Sequence, residues 1–180
     1  MKKLMFLPFL LGVMVANAQI KLGLKAGVNV STFNGLDNAE SLTAYHAGGI
    51  VRWKFKRFTL APELLYSKQG ASVTENGTET DYEVDYILLP IMLQWQFGGS
   101  LYIEGGFQAG FRANDNFPDN YTPKGTDWSG ALGLGFMKPT GGLGIGARYS
   151  LGLANVADVT SGDGEFKNGV AQFSLIWLFK

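Results

Sequence analysis

His46 is the only histidine among the 180 residues, and the chain has no cysteine. A histidine can act as general base for a serine nucleophile when a third group orients it. The matching G-x-S-x-G pattern of a nucleophile turn does not occur. His46 lies instead among the polar positions of an alternating segment, near its end, and reads as a structural rim histidine. "GGLGIGARYS" (Gly141–Ser150) has the glycine density of a phosphate-cradling loop. Its glycines Gly142, Gly144 and Gly146 alternate with Leu143, Ile145 and Ala147, which places them on one face of a strand. A dinucleotide fingerprint needs a helix after the turn, and no helical pattern follows. Acidic residues gather in "NDNFPDN" (Asn114–Asn120) and "DVTSGDGE" (Asp158–Glu165). They offer oxygen ligands for calcium but lack EF-hand spacing, so they read as solvated loops. Asn76-Gly77-Thr78 and Asn120-Tyr121-Thr122 match glycosylation sequons, and Asn76-Gly77 reads better as a tight turn. No catalytic residue, cofactor site or metal site emerges.

The remaining chemistry is ionic. Arg52, Glu63, Glu104, Arg112 and Arg148 share the parity of the polar face in their strands. If Phe55 faces Phe58 across the two-residue turn Lys56-Arg57, Arg52 is diagonal to Glu63. Glu104 and Arg148, from nonadjacent strands, could meet across a narrow interior. Charges enclosed by a barrel need partners, so the reading is a salt-bridge plug. The alternative is a selective pore lining.

The elements that carry these residues are strands. Period-two alternation marks eight segments: Ile20–Val30, Tyr45–Phe55, Phe58–Tyr66, Ile87–Phe97, Leu101–Phe111, Trp128–Phe136, Leu143–Leu153 and Ala171–Phe179. Each has 9 or 11 residues, the ~9–11 that a tilted transmembrane strand requires. Three connections are short, Lys56-Arg57, Gly98–Ser100 and Met137–Gly142. The other four, Ser31–Ala44, Ser67–Tyr86, Arg112–Asp127 and Ala154–Val170, are read as long loops. Short periplasmic turns and long extracellular loops characterise an outer-membrane barrel.

The aromatic residues assign the faces. Near the short turns the apolar face carries Trp53, Phe55, Trp95, Phe97 and Trp177; near the long loops it carries Tyr45, Tyr66, Trp128 and Tyr149. Two aromatic bands with aliphatic residues between them fit girdles at two membrane interfaces. The bulky face is therefore expected to face lipid and the charged face the lumen. A soluble up-and-down barrel would reverse the faces, but the two bands and the loop asymmetry oppose it.

"MKKLMFLPFLLGVMVANAQ" has two lysines, an apolar run and an A-x-A site, which predicts a signal peptide over 1–18 and a barrel domain over 19–180. Residues 19–180 hold 13 Lys+Arg against 15 Asp+Glu, a net charge of −2. That balance offers no basic patch for nucleic acid. With 25 glycines, 13% aromatic residues and no disulfide, the chain reads as all-β: an eight-stranded antiparallel up-and-down transmembrane β-barrel.

"LGLKAGVNVSTFNG", "APELLYSKQGASV" and "DYILLPIMLQW" resemble the PorT-like outer-membrane β-barrel family of Bacteroidetes, often labelled porin family protein. The resemblance implies this fold and location, and points to a link with protein secretion. The expected function is a structural or interaction role through four long extracellular loops. A small, mostly plugged channel is the alternative and a lipid-modifying enzyme a distant one. The expected partners are outer-membrane lipid and other envelope or secretion proteins, around a monomer with no cofactor.

Overall fold

The computed structural model describes residues 19–34, 39–75, 78–115, 126–153 and 167–179. The expected signal peptide, the Asn76-Gly77 turn and most of both acidic runs lie outside the described residues. Eight strands follow one another: β1 (Gln19–Asn34), β2 (Ala39–Phe55), β3 (Phe58–Glu75), β4 (Thr78–Phe97), β5 (Leu101–Asp115), β6 (Thr126–Met137), β7 (Gly142–Gly152) and β8 (Lys167–Leu178). Each pairs antiparallel with its sequence neighbours, and β1 closes on β8 from Gly23↔Leu178 to Asn34↔Lys167.

The faces follow side-chain size. Leu22, Leu132, Leu134, Phe107, Trp128 and Trp177 are more than half exposed on the outer wall, while Lys25, Arg52, Glu63, Glu104 and Arg148 are buried inside. Tyr45 and Tyr66 meet with ring centroids 6.2 Å apart toward one end. Toward the other, Trp53 meets Phe55 at 4.9 Å and Trp95 meets Phe97 at 6.3 Å. Phe97, Trp95, Tyr149 and Tyr45 are between 43% and 53% exposed, on the outer face as their parity requires.

The short connections have the backbone that tight hairpins need. Gly98 and Gly99 take φ of 57° and 81°, a region glycine enters without a Cβ penalty, and Lys56 takes φ of 52° in the two-residue turn.

Two of the expected long loops are largely strand. β3 and β4 pair from Phe58↔Trp95 up to Glu75↔Thr78, leaving only residues 76–77 between them. β1 and β2 reach Asn34 and Ala39. The Ser67–Tyr86 and Ser31–Ala44 readings are therefore corrected to hairpin ribbons that rise past the apolar band. The physical reason is that the hydrogen-bond ladder is indifferent to lipid. The ladder continues where Lys68 and Glu83 replace apolar residues on the outer face. In "EVDY" (Glu83–Tyr86) the alternation persists, but the outward positions Glu83 and Asp85 are acidic rather than apolar.

With every strand paired to two neighbours, no sheet edge is left for SDS to open. The folded chain should migrate differently on SDS gels before and after boiling, and should fractionate with outer membranes. Recovery as a detergent-free soluble monomer would contradict this architecture.

Candidate functional site in the lumen

An ionic chain crosses the barrel interior. Glu63 on β3 receives Lys25 Nζ from β1 at 3.0 and 3.3 Å. It also receives the Arg148 guanidinium from β7 in a bidentate pair, 3.0 Å from NH1 and 2.7 Å from NH2. Arg148 Nε donates to Glu104 Oε1 on β5 at 2.8 Å. Glu104 Oε2 accepts Gln94 Nε2 at 2.9 Å, and Gln94 Oε1 accepts Arg52 Nε at 2.9 Å. The side chains of Lys25, Glu63, Glu104 and Arg148 are each at most 4% exposed. In such surroundings bidentate geometry and satisfied lone pairs are what hold an ion pair together.

Glu104 and Arg148 do meet across the lumen. Arg52 does not take the diagonal partner: its guanidinium lies 5.7 Å from the Tyr102 ring centroid and its Nε faces Gln94. Glu63 is already filled by Arg148 and Lys25, both better aimed. Lys25, whose parity in its strand is inward, completes the network from β1. Arg112 lies opposite Tyr86, eight positions beyond Glu104, beside a register shift between Asp85 and Tyr86.

His46 is deeper than a rim residue, only 1% exposed. Its Nδ1 lies 2.7 Å from Asn29 Oδ1 and its Nε2 lies 2.9 Å from Ser174 Oγ. Asn29 Nδ2 donates to Ser67 Oγ, Tyr45 O and Lys68 O, which leaves Oδ1 as acceptor. Nδ1 therefore carries the proton in neutral His46, and Nε2 accepts from Ser174. The connectivity is that of a base and hydroxyl, but Ser174, at 7% exposure, faces the lumen and not lipid.

Apolar residues share the interior. Leu65, Val84, Tyr86 and Leu88 cluster toward the ribbon end. Ile50, Ala61, Met92, Tyr102, Ala131, Met137, Ile176 and Leu178 form a second cluster reaching the short-turn end. Sequence reasoning missed Leu88 and Met92 because "ILLPIML" is apolar on both faces, so alternation shows no contrast there. Above the apolar band, Lys68 Nζ bonds Glu83 at 2.7 Å, and this hydrogen bond raises the lysine's pKa above its ordinary value.

A family model described as outer membrane protein beta-barrel domain matches residues 16–158. In structure the chain is similar to Neisserial surface protein A, with TM-score 0.60 and 11% identity over 88% of this chain and 97% of that one. It is also similar to Ail, the attachment invasion locus protein of Yersinia pestis, solved in complex with the heparin analogue sucrose octasulfate. There the TM-score is 0.54 and the identity 13%, over 89% and 99% of the two chains. No curated protein matches the chain in sequence.

Proposed function

We propose that this chain, which belongs to the outer membrane protein beta-barrel domain family, is a closed-lumen structural and interaction protein that works through its extracellular end. The observation that carries the reading is the filled interior. An eight-stranded barrel leaves space only for its own side chains, and here ion pairs and two apolar clusters occupy it. The reading is non-enzymatic, because the one histidine is buried among lumen partners.

The ribbons supply the contact surface. Glu83 and Asp85 share the outward parity of β4, whose sequence also holds Glu79 and Asp81, and Lys68 stands opposite Asp85 on β3. This acidic face suits a cationic or neutral partner, unlike the polyanion bound by Ail. The PorT-like resemblance supports a secretion complex as a narrower version of the same role. Pulldown of the tagged protein from native membranes tests both. A stable secretion assembly would select the narrower version, and no co-purifying envelope protein would count against the interaction reading.

The channel alternative has its own expected result. Purified protein in planar bilayers should show no steady large conductance, only small intermittent openings. Glu104→Ala should raise their frequency several-fold, because Arg148 Nε and Gln94 lose their shared acceptor. Sustained nanosiemens-scale conductance of the unaltered monomer would make the channel the better reading.

A further inference from the structure

The lumen network is not electrically balanced. Three cations (Lys25, Arg52, Arg148) meet two carboxylates (Glu63, Glu104), an excess of one positive charge. The surplus falls on Arg52, whose acceptor is the neutral amide of Gln94 and whose guanidinium faces the Tyr102 ring. Arg52 is 7% exposed. Directly across the β1–β2 ladder from it stands Lys21, and Gln19 stands across from Lys54. Like charges opposed on one sheet face are destabilising. Lys21 has a neutral acceptor, Pro139 O at 3.1 Å. Lys54 faces Thr59 on its other side. The hydroxyl of Thr59 is buried, with no hydrogen-bond partner among the described residues.

These groups line one pocket at the periplasmic mouth of the lumen, with a volume of about 10 Å³. The nearby turns Lys56-Arg57 and Lys138–Gly141 add three more cations and no carboxylate. A buried cation without a counter-ion is costly, and a buried hydroxyl without a partner is rare. One bound anion would answer both. We infer that the pocket framed by Lys21, Arg52, Lys54 and Thr59 is a binding site for a single chloride ion. The volume is on the scale of one small species, which favours a monatomic anion over a polyatomic one such as phosphate. Thr59 supplies an O–H donor, and the three cations supply N–H donors and charge. This site is independent of any partner at the extracellular end.

The test uses the refolded full chain in a non-ionic detergent with a chloride-free salt, followed by chloride-35 NMR line width. Added chloride should broaden saturably, and bromide should compete. Lys54→Gln should weaken binding roughly tenfold, as expected for losing one charge-assisted hydrogen bond. Thr59→Val should weaken it less. Lys138→Gln, on the rim outside the pocket, should leave it unchanged. Equal losses for Lys54→Gln and Lys138→Gln would reveal a diffuse ion atmosphere and overturn the site. So would absence of saturable broadening in the unaltered chain, or displacement by inorganic phosphate more readily than by bromide. Heat-modifiable migration of each variant verifies that it is folded.

Discussion

Glu63→Gln should cost the barrel about 3–5 kcal/mol, the range for breaking a buried ion pair by removing one partner. Glu63 is the acceptor for two cations, and its own side chain is 1% exposed. Its loss affects them unequally. Arg148 keeps Glu104 at 2.8 Å, whereas among the described residues the only carboxylate hydrogen-bonded to Lys25 is Glu63. The stranded lysine is therefore the main source of the penalty. Urea titration of the folded fraction, read as the unboiled band on SDS gels, measures it. Adding Lys25→Met should restore much of the loss, because an apolar side chain of similar length needs no counter-ion. If Glu63→Gln shifts the midpoint negligibly, water already screens the lumen and the plug is looser than its distances imply.

Leu132→Arg should impair membrane assembly by roughly 2–4 kcal/mol, the cost of an arginine on the lipid face near the bilayer midplane. Leu132 is 73% exposed on the outer wall, midway along β6. The useful control is an inward substitution on a neighbouring strand. Gly133→Ser, suggested by parity alone, is unsuitable: a Cβ there would lie 2.7 Å from Ala147 O and 3.0 Å from Glu104 Oε1. Ser150→Ala is better, because Ser150 is buried in the lumen and its hydroxyl has no hydrogen-bond partner among the described residues. Folding into lipid vesicles, followed by gel shift, should fail or slow for Leu132→Arg and stay near normal for Ser150→Ala. The opposite ranking would mean that the outer wall faces water.

The sequence alone determined the strand count, the antiparallel order, the two faces and the membrane location. All of these depend on local alternation and on which connections are short, as between Phe55 and Phe58 or Phe97 and Leu101. It also placed Arg52, Glu63, Glu104 and Arg148 on the inner side, because parity within a strand needs no knowledge of other strands. Only the tertiary structure decided who meets whom. Barrel closure brings β1, β3, β5 and β7 around one narrow lumen, where Glu63 can hold Lys25 and Arg148 together and leave Arg52 with a neutral amide. The same closure buries His46 between Asn29 and Ser174, residues 17 and 128 positions away in the chain. The height of the ribbons was also decided there, since pairing from Ser67↔Tyr86 to Glu75↔Thr78 continues beyond the apolar residues that mark the bilayer. Pair selection in the lumen is a matter of distance across a closed ring, and a linear pattern carries parity but not distance.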